Sequence, residues 1–231
     1  AVLQHISFEA KKGETVAFIG STGSGKSTLI KLIPRFYDVS AGKILINGVD
    51  VRDMDIYKLR ERIGFVSQKA NLFSGTIEEN IRFGNRNASM EEVVHAAKVA
   101  QAYDFIMEKP GQFQEHIVEG AGNVSGGQKQ RLSIARALVR HADIYIYDDS
   151  FSALDFRTDA KLRSELRKEM TDEIVLIVAQ RVSTIMDANQ IIVLDEGRIV
   201  GKGTHKELLK NCSVYHEIAA SQLSEEELAY E

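Results

Sequence analysis

Cysteine occurs only once in this chain of 231 residues, at Cys212. A single thiol excludes an internal disulfide framework and fits a reducing compartment. No apolar run approaches the roughly 18 residues that a membrane-crossing helix needs. The opening, Ala-Val-Leu-Gln-His, is not a secretory leader. It lacks an initiating Met and starts inside an apolar pattern, so the sequence reads as a piece of something longer. Basic residues do not dominate: 29 Lys and Arg stand against 33 Asp and Glu, with the signs well mixed. That balance carries no electrostatic footprint for nucleic acid. Internal repeats and low-complexity segments are also missing. What remains is a globular composition, 44% hydrophobic, sufficient for one large domain or a domain with a subdomain.

Five apolar runs read as strands: Thr15–Ile19, Lys43–Ile46, Ile144–Tyr147, Ile174–Ala179 and Gln190–Leu194. Three are nearly all apolar, as in parallel strands covered on both faces. Arg198–Val200 reads as a sixth strand, joined to the fifth through the Asp195-Glu-Gly197 turn. Helical patterns separate most of them, which predicts an α/β layered fold. From about Ala70 to Gly122 the signals are helical, with no strong strand. Ser89 can cap one helix, with Glu91 and Glu92 in its first turn. Apolar positions then recur at Val93, Ala96, Ala97, Ala100, Tyr103, Phe105 and Ile106, up to Pro110-Gly111. This block is expected to be an inserted helical subdomain. The tail from Ser213 to Glu231 reads as one or two short polar helices.

The most informative stretch is Gly20, Ser21, Thr22, Gly23, Ser24, Gly25, Lys26, Ser27 and Thr28. It matches G-x-x-x-x-G-K-[ST], a loop whose successive backbone N–H groups cradle phosphate oxygens. Glycines let the backbone approach the ligand without a Cβ clash. Lys26 is expected to reach the terminal phosphates and Ser27 to ligate Mg²⁺. The alternative is a Gly/Ser-rich turn, but chains this long match by chance only about once in a hundred. A β-type run, Thr15-Val-Ala-Phe-Ile19, precedes the loop and an apolar helix, Leu29-Ile-Lys-Leu-Ile33, follows it. That is the strand–loop–helix setting the motif requires.

A phosphate loop needs a distant carboxylate to hold the magnesium water. Asp148, ending the apolar run Ile144-Tyr-Ile-Tyr, supplies it, and Asp149 beside it could face an attacking water. Any buried strand can end in Asp, so this motif gains weight only beside the loop. Val124, Ser125, Gly126, Gly127 and Gln128 form the second strong signal. Ser125 and Gln128 make an S-x-x-Q capping box ahead of a helix over Lys129–Arg140. Two glycines in a first turn each cost about 1 kcal/mol of helix stability. Bare backbone at a helix N-terminus is what an anion site requires.

With these residues in order, the chain resembles the nucleotide-binding domain of ATP-binding cassette (ABC) transporters, over essentially its whole length. Ser125-Gly-Gly-Gln128 is similar to the family signature. Gln68, in Gly64-Phe-Val-Ser-Gln68, falls at the Q-loop glutamine, after a strand and before the helical subdomain. Ser152, Ala153, Leu154 and Asp155 resemble the D-loop. Arg35-Phe-Tyr-Asp38, Thr76-Ile-Glu-Glu-Asn-Ile81 and Glu119 resemble segments of the multidrug-exporter branch. The resemblance implies a P-loop NTPase core over about 1–69 and 140–231, mostly parallel with flanking helices and an antiparallel β part. The helical subdomain would cover about 70–139. It implies ATP and Mg²⁺ as ligands, with Ser27, Gln68 and Asp148 around the metal. It also implies a head-to-tail pair in which the signature acts on the partner's ATP. A transmembrane domain would lie upstream, and the cassette itself would be a soluble part of that transporter at the cytoplasmic face of the cell membrane.

Two departures from the family matter. Where the residue after the strand Asp is usually Glu, this chain has Asp149, one methylene shorter. In Val178-Ala-Gln180-Arg-Val-Ser-Thr-Ile185, Gln180 stands where the H-loop has a histidine, and it cannot become a cation. Both changes weaken hydrolysis while sparing binding, and Asp149 and Gln180 are the expected catalytic pair. With its signature intact apart from Val124 for Leu, the chain resembles the degenerate half of a heterodimeric exporter. Two other readings stay open: an active homodimeric exporter ATPase, and a soluble ABC ATPase with no membrane domain. The adenine-stacking aromatic is expected before Ala1, because Phe8 reads as a core strand residue.

Overall fold

The computed structural model describes residues 2–224 and Leu228. The end of the expected polar tail, toward Glu231, falls mostly outside the described residues. In chain order the elements are β1 (Thr15–Gly20), α1 (Lys26–Leu32), β2 (Leu45–Ile46), β3 (Val49–Asp50), α2 (Ile56–Glu61), β4 (Ile63–Val66), β5 (Gly75–Thr76) and α3 (Ile77–Arg82). There follow α4 (Met90–Val99), α5 (Tyr103–Met107), β6 (His116–Ile117), α6 (Gly126–Leu138), β7 (Ile144–Asp148), α7 (Phe156–Glu169), β8 (Ile174–Val178) and α8 (Val182–Ile185). The chain continues with β9 (Gln190–Asp195), β10 (Arg198–Gly203), α9 (His205–Asn211) and α10 (Ser213–Ala220).

Six strands form one sheet in the order β10-β9-β1-β8-β7-β4. All neighbours run parallel except β10, which returns antiparallel to β9. Alternate residues of each strand feed opposite cores, as a period of two demands. Val16 and Phe18 join one cluster with Ile30 and Leu59 from α1 and α2. Ala17 and Ile19 join the other, with Leu132, Leu162 and Tyr215 from α6, α7 and α10. Both faces being covered, β1 and β7 can be apolar almost throughout. This is the expected α/β architecture, with helices on a mostly parallel sheet and an antiparallel part.

Local structure differs from the sequence reading at several points. The run Lys43–Ile46 does not enter the main sheet. Its last two residues, Leu45 and Ile46, pair antiparallel with β3 across an Asn47-Gly48 turn, both of positive φ. The parallel sheet instead ends at β4, the strand before Gln68, which is four residues long and interrupted by Gly64. The apolar periodicity from Val93 to Ile106 is broken into α4 and α5. Gln101 takes φ 56° there, and the amide of Ala102 reaches back to the Ala97 carbonyl at 2.7 Å.

Capping at Ser89 and Ser125 behaves as the sequence indicates, and the structure adds Thr76. Thr76, Ser89 and Ser125 each form a full capping box, with Glu79, Glu92 and Gln128. The third helix begins at Gly126, so the two glycines lie inside its first turn.

Candidate functional site

In an open parallel sheet, ligands bind outside the carboxyl ends of the strands. β1, β8, β7 and β4 are consecutive neighbours, with Phe18 opposite Val178, Val178 opposite Asp148 and Tyr147 opposite Val66. Their carboxyl ends therefore align. The segments that leave them carry the loop 20–28, Gln180, Asp149 and Gln68. Residues far apart in sequence thus meet along one edge.

The loop at β1 closes on a backbone that requires glycine. Gly20 has φ 149°, and a Cβ there would come within 1.9 Å of the Leu194 carbonyl oxygen on neighbouring β9. Gly25, at φ 99°, is the N-cap of α1 and offers no side-chain cap, leaving the first amides of the helix bare. Lys26 folds back over the turn. Its Nζ donates to the carbonyls of Gly20 and Ser21, both at 2.7 Å, and to Ser24 Oγ at 3.2 Å. Burial pushes the Lys26 ammonium pKa down, opposed by attraction to Asp149 and Asp148.

Ser27 and Asp148 are joined directly: Ser27 Oγ donates to Asp148 Oδ1 at 2.7 Å. Lys31 Nζ lies 4.0 Å from the other carboxylate oxygen. Asp148 is only 2% exposed. The pair gives oxygen donors at the mouth of the phosphate loop, the donor type a hard cation prefers. Among the described residues there is no cluster of three or more His, Cys, Asp and Glu. A site with so few protein ligands suits Mg²⁺, which keeps waters and takes phosphate oxygens for the rest. Open space at Gly23 and bare amides at Gly25 suit the polyphosphate.

Asp149 follows at the strand end in a left-handed conformation, φ 49°. That region is uncommon outside glycine but is tolerated by Asp and Asn. Its amide still pairs with the Val178 carbonyl at 2.9 Å, so the turn is fixed to β8. Its carboxylate receives two neutral donors, Gln68 Nε2 at 3.0 Å and Gln180 Nε2 at 2.7 Å. Burial pushes the Asp149 carboxyl pKa up, and these amide bonds, with Ser152, hold it down in part. Gln68, assigned to the metal by resemblance, therefore faces Asp149 here, while Ser27 and Asp148 face one another.

The signature-like segment lies apart from the loop. Ser125 N–H donates to Gln128 Oε1 at 3.0 Å, and Gln128 N–H to Ser125 Oγ at 3.2 Å. Val124 is buried. Gly127 abuts the 152–155 turn: a Cβ there would meet the Ala153 carbonyl oxygen at 3.3 Å. In that turn Ala153 is exposed, Leu154 is buried and Asp155 caps α7 through the Thr158 amide at 3.0 Å. No hydrogen bond joins Ser125 or Gln128 to the phosphate loop among the described residues.

Two contributors have no signal in the sequence. Arg181 Nη2 donates to the Ser152 carbonyl at 3.2 Å, linking the segment after Gln180 to the 152–155 turn. Gln222, 42 positions beyond Gln180, brackets that same segment. Phe8, expected as a core strand residue, lies outside any strand and is only half-buried; it packs edge-on against Phe18 with ring centroids 5.2 Å apart, at the margin of the core.

A sequence profile described as ABC transporter matches residues 3–152. The chain belongs to the ABC transporter family. It is 48% identical over 224 residues to an uncharacterized ABC transporter ATP-binding protein of Mycobacterium tuberculosis, covering 96% of this chain and 38% of the relative. It is 42% identical over 230 residues to an ATP-dependent lipid A-core flippase of Syntrophus aciditrophicus, covering 100% of this chain and 38% of that protein. Among solved structures, a bacterial Atm1-family ABC exporter with ATP bound superposes at a TM-score of 0.94 and 41% identity. That match covers 97% of this chain and 40% of the other. The chain thus spans well under half the length of the curated ABC relatives it matches. Among its described residues no helix is long and apolar enough to cross a membrane.

Proposed function

We propose that this chain is the ATP-binding cassette of an ABC exporter. In this reading it binds Mg-ATP on residues 20–28 and closes head to tail on a second nucleotide-binding domain. The direct Ser27–Asp148 contact at the mouth of the Lys26 loop carries it: an oxygen from the first turn of α1 and one from the end of β7 meet where a phosphate-bound cation would sit. The capped helix N-terminus of Ser125, Gly126, Gly127 and Gln128, with no side chain on its two glycines, would face the partner's γ-phosphate. Residues 70–139 would move as a helical subdomain against the core.

The membrane domain would belong to the same transporter, as the greater length of the relatives supports. A groove of about 300 Å³ is lined by Phe36, Phe65, Phe73, Phe83, Arg60 and Arg136. Phe36, Phe73 and Phe83 are each more than two-fifths exposed. Aromatic surface of this kind marks an interaction site, and we assign it to a segment of that membrane domain.

The chain's own ATP site would be the slow one of a heterodimer. Asp149 is a methylene short of the usual Glu, and a misplacement of about 1 Å costs on the order of a hundredfold in rate. Gln180 donates hydrogen bonds but carries no charge, and here one of its two amide hydrogens is already engaged by Asp149. ATP would stay bound through several turnovers of the opposite site and keep the dimer partly closed. Comparing Asp149→Asn with the matching change in the partner, in the full assembled transporter, tests this. The first should barely change total ATPase activity and the second should abolish it. A large loss from Asp149→Asn would make Asp149 a working base and favour the active homodimer.

A further inference from the structure

The segment that carries Gln180 is held from outside the sheet. α8 begins at Val182 with Arg181 as its N-cap, and Arg181 gives it no side-chain cap. The first turn of such a helix leaves amides without intrahelical partners. One is met from 40 positions away: Val182 N–H donates to Gln222 Oε1 at 2.8 Å. The same side-chain amide turns its other end to the opposite flank, where Gln222 Nε2 donates to the Gln180 carbonyl at 2.8 Å. Gln222 therefore spans Arg181 with one donor and one acceptor, as a neighbouring strand would.

Gln222 is itself fixed. It closes the C-terminal turn of α10, its amide donating to the Ala219 carbonyl at 3.0 Å, with Leu223 bonded to the same oxygen at 2.8 Å. Tyr215 and Ala219 of α10 are fully buried, and Leu223 packs on the core. A rigid helix end is thus bolted to the backbone of Gln180, whose Nε2 sits 2.7 Å from Asp149 Oδ2.

We propose that Gln222 is a positioning residue for the Gln180–Asp149 pair, so that the C-terminal end of the cassette sets the rate of ATP cleavage at this site. The inference rests on the reading of 20–28, Asp149 and Gln180 as an ATP site. Without Gln222 the Gln180 segment would keep the β8 ladder before it and Arg181 and the buried Val182 behind it, with no bond to the Gln180 carbonyl itself. Gln180 would then sample positions away from the carboxylate.

The test uses the full-length assembled transporter with the partner's site inactivated, so that only this chain's site turns over. Gln222→Ala should speed amide exchange in the peptide containing Val182 by about tenfold, the worth of one lost hydrogen bond. It should lower the single-turnover rate by about tenfold, less than the hundredfold cost of a full 1 Å misplacement, with ATP affinity unchanged and the unfolding midpoint lowered by only a few degrees, as the lost hydrogen bonding requires. In a Gln180→Ala background Gln222→Ala should cost nothing further, since residues that act through one another are not additive. Unchanged exchange, or faster exchange with an unchanged rate, overturns the proposal. So does an equal loss in both backgrounds, which would mark Gln222 as merely structural, and so does an absence of measurable turnover at this site in the parent. ATP binding that survives Lys26→Ala would instead bring down the site reading, whatever Val182 exchange shows.

Discussion

Gln68 and Gln180 meet at a single atom: both donate to Asp149 Oδ2, at 3.0 and 2.7 Å. One comes from beyond β4 and the other from beyond β8, and the carboxylate stands between them at the end of β7. Each donor favours the charged carboxylate, against a burial that disfavours it. Movement of either loop is therefore felt as a change in the proton affinity of Asp149.

The sign of that balance predicts a stability effect. The Asp149 pKa is raised above its ordinary 3.8, mainly by burial. Native protein then holds a proton where the unfolded chain has released it, so this group's contribution falls as pH rises through the window above 3.8. Its charge costs stability at neutral pH, even with Lys26 nearby and Asp148 adding repulsion. Asp149→Asn should raise the thermal midpoint of the nucleotide-free protein at pH 7, and the gain should shrink as pH falls toward 4. Unfolding curves across that range check it, and a lower midpoint at pH 7 would contradict it.

Lys26→Ala should lower Mg-ATP affinity by roughly a hundredfold, equivalent to about 3 kcal/mol for a lost charged hydrogen-bonding group. The ammonium is the only full positive charge within the 20–28 loop. Equilibrium titration with a nucleotide analogue measures the change, and unchanged affinity would remove the site assignment.

Gly20→Ala should be among the most damaging substitutions in the chain. A Cβ at this position would sit 1.9 Å from the Leu194 carbonyl oxygen, on a backbone with φ 149°. Strand β1 or β9 must shift, and a loss of about 3 kcal/mol or more is expected. Denaturant unfolding at equilibrium provides the value.

The two signature glycines should separate. A Cβ at Gly126 meets nothing within 4 Å, whereas at Gly127 it presses on the Ala153 carbonyl at 3.3 Å. Gly126→Asp should therefore fold normally and leave ATP binding at this chain's own loop intact. It should instead impair hydrolysis at the partner's site, by placing a carboxylate where the γ-phosphate is expected. Gly127→Ala should displace the 152–155 turn and lower stability as well. Turnover of the assembled pair, with binding to each subunit measured separately, distinguishes them; full turnover with Gly126→Asp would refute the action in trans.

Sequence alone determined the parts whose physics is local. The loop at 20–28 was legible because its glycines, lysine and serine occupy fixed spacings. The caps at Ser89 and Ser125 were legible because each bonds three residues away. The apolar runs of β1, β7, β8 and β9 were legible because strands buried on both faces must be apolar throughout. Tertiary structure decided everything that depends on which strand lies beside which. The order β1-β8-β7-β4 brings Gln180 and Gln68 to one carboxylate oxygen across 31 and 81 positions. It also moved Leu45–Ile46 out of the sheet and broke the Val93–Ile106 periodicity at Gln101. Gln222 left no trace in the sequence, since a lone glutamine at a polar helix end has no local partner. Its two bonds exist only because α10 packs the turn at its own C-terminus against the start of α8.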